Sequence, residues 1–394
     1  MKMSIVGAVL MASSAAAIAQ SNVTIYGIVD NGLQYETGIP KGNRFSTETG
    51  NWAESRLGFL GAEDLGGGTQ ATFHLEARLN TQNGSYANGS FFEGQATVGM
   101  RNDRFGAFRA GNFGASELLQ DAGDSDPQQA QKYSIGTLVR GRIWTQAANG
   151  LEYTSPSLGG FTVKGQYNLT NSSTWNAGNP GSAPSQIGTS TGLGSAQGRA
   201  DGVKLQYNAS NLELQAIYDE IRDSNGKFSN VYLASRSIFT GGAYALGPVK
   251  LFAGYQHLSA PDASNAGYFG SSTPTALPGG ASLPTAVDQE WAGAQWTARP
   301  DVTLTGAVYH ANANRGNGNA TLYTVSGAYL LSKRTRLYSE VGYVRNSSTS
   351  NLGLDSGLYG ANVNNDPVNA SSSNSNPNYG HGQFGVFAGI ATQF

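Results

Sequence analysis

The chain has 394 residues, no cysteine, and 24 Lys and Arg against 26 Asp and Glu, a net charge of −2. That balance offers nucleic acid no attraction, and a chain without thiols has neither a disulfide nor a thiol site. Glycine numbers 54, well above an ordinary share of about 7%, while charged residues are only 13% beside 19 Tyr and 16 Phe.

In chain order, Met1-Lys2 gives a short positive start, and Ile5 to Ala19 is apolar apart from Gly7, Ser13 and Ser14. The run ends in Ala17-Ile18-Ala19, a small-x-small cleavage pattern before Gln20. At roughly 15 residues it is shorter than the about 20 that a spanning helix needs. Residues 1–19 are therefore expected to be a secretory signal peptide and 20–394 the exported domain. Losing Lys2 leaves that domain one unit more negative.

Beyond it the dominant signal is two-residue alternation. Val23-Thr24-Ile25-Tyr26 opens it, and Ala71, Phe73, Leu75, Ala77 and Leu79 share one face against Gln70, Thr72, His74, Glu76 and Arg78 on the other. Val203 to Tyr207, Leu212 to Gln215 and Leu337 to Tyr343 repeat it. Sixteen such segments are expected: 22–36, 52–63, 69–80, 91–102, 105–112, 149–155, 161–169, 200–209, 211–222, 229–246, 248–257, 287–299, 301–311, 321–331, 335–345 and 382–394.

Links after even-numbered segments are short and carry turn chemistry, as in Asp64-Leu65-Gly66-Gly67-Gly68, Gly247-Pro248 and Arg299-Pro300-Asp301. Links after odd-numbered segments are generally longer, and 170–199, 258–286 and 346–381 are tracts of small and polar residues. Short turns on one rim and long loops on the other fit a transmembrane β-barrel, where every backbone group must find a partner within the closed sheet. A soluble β-sandwich has no reason to alternate its loop lengths so strictly. The last segment ends on Phe394, an aromatic terminus like the signal read by the barrel-assembly machinery of outer membranes.

The opening Asn22-Val-Thr-Ile-Tyr-Gly-Ile-Val-Asp30 resembles the first strand of the Gram-negative general porins of Neisseria- and Burkholderia-like bacteria. Ser55 to Gly68, Glu152 to Phe161 and Tyr329 to Thr335 are similar to further segments of that family. The resemblance implies an all-β, 16-stranded antiparallel barrel of the outer membrane, assembled as a homotrimer, whose third long loop folds inward to narrow the pore. It implies passive diffusion of small hydrophilic solutes and ions, with membrane lipid around the wall and no cofactor. A substrate-specific outer-membrane channel is the alternative.

The third long loop, about 113–148, carries Glu117, Asp121, Asp124 and Asp126 before Pro127. Folded inward, these acids stand on one side of the constriction, or else form a solvated tip. Facing them, Arg56 occupies the family's constriction-arginine position, and Arg142, with Arg140, lies late in the loop. Arg78 and Arg109 point inward by parity alone and are equally compatible with wall outside the narrow zone. His74 and Glu76 are expected on the pore lining. Clusters of opposite sign across a pore set up a transverse field.

Three departures from the family pattern thin the inward cations and leave the sign of ion preference open. They are Glu93-Gly94-Gln95-Ala96 in place of Arg-Gln-Ala, Leu60 at an often polar position, and Ala391 and Gln393 near the C-terminus. An enzyme reading fails on chemistry. His74, His257, His310 and His381 are scattered without metal-ligand or acid–base spacing. The glycines of Gly192 to Gly198 are wrongly spaced for a phosphate loop.

Overall fold

The computed structural model describes residues 22–39, 42–86, 91–115, 121–140, 142, 146–147, 149–168, 199–222, 226–232, 234–263, 283–357 and 376–394. The segment 1–19 and Glu117 lie outside the described residues.

The strands are β1 (Asn22–Ile39), β2 (Gly42–Thr49), β3 (Arg56–Gly66), β4 (Thr69–Arg78), β5 (Gln95–Asn102), β6 (Gly106–Asn112), β7 (Gly114–Ala115), β8 (Gln146–Ala147), β9 (Gly150–Thr154) and β10 (Phe161–Asn168). Then follow β11 (Arg199–Asn208), β12 (Leu212–Arg222), β13 (Arg236–Leu246), β14 (Val249–Ser259), β15 (Ala286–Arg299), β16 (Val302–Ala313), β17 (Gly318–Leu330), β18 (Thr335–Asn346) and β19 (Gln383–Gln393). Every pairing is antiparallel, and at the seam β19 returns to β1, from Glu36↔Gly385 to Ile28↔Gln393. The strands β2 and β3 occupy one wall position, because β2 pairs with the far half of β1 and β3 with its near half. Among the described residues, the short β7 and β8 pair only with each other. The result is a closed barrel with sixteen wall positions.

The alternation has a physical cause. Val23, Ile25, Val98, Met100, Leu205, Leu214, Leu251, Val325 and Ile390 are exposed, up to 65% for Val325. Polar residues that alternate with such side chains, among them Gln95, Thr97, Lys204, Gln215 and Thr324, are buried. An apolar surface of this extent around a closed wall suits hydrocarbon rather than water. Exposed rings fringe it at both ends, with Phe108, Tyr153, Tyr244, Trp296 and Tyr329 towards the short turns and Tyr218, Tyr255, Tyr343 and Phe384 towards the loops. The turn after β3 needs left-handed backbone at three successive positions, and Gly66, Gly67 and Gly68 supply φ of 83°, 61° and 75° without steric cost.

The seam is finished by Phe394. Its N–H donates to the Gly27 carbonyl at 3.1 Å, and its carbonyl accepts from the Gly27 N–H at 3.2 Å. The Phe394 ring lies where a Gly27 side chain would stand.

Among the departures from the expected elements, which include the turn at 91–94 ahead of β5, three have a visible cause. The link 37–51 contains β2, whose only large apolar side chain is Phe45, so it carries no alternation to read. Residues 52–55, expected as strand, instead leave the wall between β2 and β3. The Asp30 carboxylate accepts the Trp52 and Ala53 N–H groups, each at 2.9 Å, and holds the break. Among the described residues of 229–235, expected as strand, Asn230 and Ala234 form an isolated bridge rather than a strand. There the Asn230 side chain accepts the Tyr232 N–H at 2.9 Å, a local turn that competes with strand pairing.

Candidate permeation pathway

Cross-strand register gathers one polar face. Ile28, Arg56 and Arg78 are successive partners across β1, β3 and β4, and the next row holds Tyr26, Gly58, Glu76 and Gln95. Arg56 is partly exposed and stands 3.8 Å from the Glu76 carboxylate. Arg78 is buried, with its Nε 2.9 Å from Glu54 in the β2–β3 break. Burial pushes the Glu54 carboxyl up to about 7, although Arg78 pulls it the other way. Tyr26 bonds both His74, at 2.5 Å, and Glu76, at 2.6 Å. Further round the wall Arg109 pairs with Glu152.

Residues 121–140 pack against the buried face of the wall between β12 and β19. A 3-10 turn, Asp121–Ser125, opens the segment. The Gln215 amide donates to the Ser125 hydroxyl at 2.6 Å, and the Trp291 indole N–H donates to the Ser125 carbonyl at 2.8 Å. The Gln128 amide donates to Thr324 at 2.8 Å and accepts from Ser326 at 2.6 Å. Tyr133, Ile135, Leu138 and Val139 are fully buried with Ile217, Phe239, Trp291 and Phe387. At about 1.5–3 kcal/mol for each large apolar side chain taken from water, this contact alone gives the segment a fixed place.

Only some of the candidate residues share one space. Asp124 lines a cavity of 530 Å³ together with Arg56, Arg78, Glu54, Glu213 and Lys250. Asp121 begins the 3-10 turn. Asp126 is buried away from that cavity, accepting a hydrogen bond from the Tyr309 hydroxyl and the Ala130 N–H at 2.7 Å. Burial pushes its carboxyl up to about 6 against the pull of those donors. Arg140 donates to the Asn351 side chain at 3.0 Å and lies over the Tyr232 ring. Arg142 is completely buried, 2.6 Å from the Asp219 carboxylate, and donates to the Ser235 hydroxyl at 2.8 Å. Thus Arg56, Arg78 and Asp124 come together, whereas Arg109, Asp126, Arg140 and Arg142 sit in other contacts.

Sequence reading passed over Lys250, Glu213, Trp52 and Arg336. Lys250 pairs with Glu213 at 2.8 Å in the same cavity. The parity of exposed Leu251 and Leu214 already pointed both inward. Arg336 stacks on Trp52 at 3.8 Å and lines a smaller cavity of 180 Å³, so β18 supplies a cation beside Ala391. Trp52 and Glu54 could not be found by alternation, because they stand in the break. Lys132, in the segment after Asp126, pairs with Asp355 at 2.9 Å. Burial works to raise the Asp355 carboxyl, but Lys132 and Arg44 overcome it and hold it well below the usual carboxylate range.

A closed wall that is greasy outside and lined by charge and amide inside defines a membrane channel of the outer-membrane barrel type. The family model described as Gram-negative porin matches residues 7–349, and the chain belongs to that family. It forms an outer-membrane porin channel and is not an enzyme. Outer membrane porin protein 32 of Delftia acidovorans is 27% identical over 387 residues, covering 92% of this chain and 95% of that protein. An outer membrane porin protein of Bordetella pertussis is 28% identical, covering 88% of this chain and 95% of its own length. Among solved structures, the anion-selective porin from Comamonas acidovorans superposes with a TM-score of 0.71 at 23% identity, over 95% of this chain and all of that one.

Proposed function

We propose that residues 113–148 are the inward-folded constriction loop and that the cavity shared by Asp124, Arg56, Arg78 and Lys250 is the narrow zone of a general diffusion pore. One observation carries the reading: a loop carboxylate and two wall guanidiniums line a single water-accessible space. Small hydrophilic solutes and ions cross there because wall and loop supply hydrogen bonds and charge where hydrocarbon would cost several kcal/mol per ion.

A modest anion preference follows from the charges. Glu54, raised to about 7 by burial, carries less than a full charge at neutral pH, while the guanidiniums keep theirs. The relative named as anion-selective supports that sign. The reading includes removal of residues 1–19 on export, three copies per assembly, and Phe394 as the mark read by the assembly machinery.

Reconstitution in a planar bilayer under a potassium chloride gradient tests it. Steady ohmic steps and a zero-current potential displaced towards chloride are expected. A displacement towards potassium reverses the sign, block by one solute at low concentration favours a specific channel, and absent conductance removes the pore.

A further inference from the structure

We infer that His74 is a selectivity-determining residue of this pore, whose protonation raises the preference for anions. The inference rests on the permeation pathway proposed above. The Tyr26 hydroxyl lies 2.5 Å from His74 Nε2 and 2.6 Å from Glu76 Oε2, yet it has one proton to give. An ionised carboxylate only accepts, so the proton goes to Glu76. The Tyr26 oxygen can then only accept from His74, and Nε2 must carry its own hydrogen. The chain His74 Nε2–H to Tyr26 O–H to Glu76 fixes the tautomer, and a second proton on the ring makes an imidazolium wired to a carboxylate.

The surroundings make that charge count. His74 is half-buried on the polar face, one row beyond Glu76 and two rows from Arg56 and Arg78. From β1 it meets Tyr26. From β3 it faces Leu60 directly, with Arg56 beyond. On its own strand stand Glu76 and Arg78, the latter paired with Glu54. From β5 its partner is Thr97, flanked by Gln95 and Gly99 with Arg101 beyond, and β6 adds Arg109 opposite Gly99, paired with Glu152. The Glu76 carboxylate and the Arg56 guanidinium stand 3.8 Å apart and oppose one another, so one added positive charge tips the immediate field towards positive. A unit charge about 6 Å from a passing ion in water, screened at 0.1 M salt, alters an ion's occupancy about two- to threefold.

The test is the chloride-to-potassium permeability ratio in planar bilayers between pH 8 and pH 5.5, with folding of each variant checked by heat-modifiable migration. The wild-type ratio should rise about two- to threefold, in a step as the histidine ring takes up its second proton. His74→Gln should lose that step and keep only the change that Glu54 contributes. Glu76→Gln should move the step to lower pH, because the carboxylate that supports the imidazolium is gone. A His74→Gln channel with an undiminished rise overturns the inference while leaving the pore intact, and an unmoved step in Glu76→Gln overturns the relay. A Tyr26→Phe variant keeps the ring and removes the hydroxyl, so a shifted step there supports the relay if either other variant fails to fold. Channels that never conduct refute the pore and this inference together.

Discussion

Arg142 is the strongest handle on the loop. Its guanidinium is wholly buried, with an ion pair to Asp219 at 2.6 Å and hydrogen bonds to the Ser235 hydroxyl at 2.8 Å and carbonyl at 2.9 Å. Hydrogen bonds of charged groups contribute about 1.5–3 kcal/mol each. Truncating one member of a buried pair costs about 3–5 kcal/mol, since the other charge is left without compensation. Arg142→Met should therefore favour release of this end of the loop by roughly two to four orders of magnitude over wild type. Single-channel recording should show larger, noisier openings. Replacing both partners, Arg142→Met with Asp219→Leu, should recover most of the quiet conductance because no charge is stranded. If the single variant is as quiet as wild type, or the double variant is no quieter than the single, the clasp does not hold the loop.

Other outcomes follow from the same geometry. Arg56→Ala should move the zero-current potential towards that of cations, and an unchanged value places Arg56 off the ion path. Asp126, raised to about 6 by burial from an ordinary value near 3.8, takes up a proton on docking. Its contribution to holding the loop is full below about 4 and is lost as pH rises through 6, a change on the order of 3 kcal/mol. Channel noise should climb over that window and should flatten in Asp126→Asn; an equally steep climb in the variant excludes Asp126 as the source. Gly27→Leu would drive a side chain into the Phe394 ring, so its folded gel band should convert at a lower temperature than wild type. An unaltered conversion temperature means the seam tolerates the crowding.

What could be read from the sequence depended on which solvent a residue faces. Ala71 to Leu79 announces itself because hydrocarbon on one side and water on the other enforce opposite chemistry at successive positions. Gly42 to Thr49 stands beyond that apolar band, so nothing forces its pattern and its strand was hidden. Arg56 was legible through its strand parity and its family position together. The clasp of Arg142 was not, since its partner Asp219 lies 77 residues away and only the closed wall brings them together. Trp52 and Glu54 were lost for a third reason. Their place depends on the buried Asp30 carboxylate catching two backbone N–H groups, a hydrogen bond that no periodicity encodes.

The Phe394–Gly27 latch has a bearing on biogenesis. The first and last strands cannot meet until everything between them has been laid side by side, so their contacts are the least local the molecule makes. Until then both flanking strands offer bare amides and carbonyls, the ready template for pairing with a stranger. Whatever escorts the polypeptide across the periplasm must shield those two ribbons most of all, and it must let go of both at once.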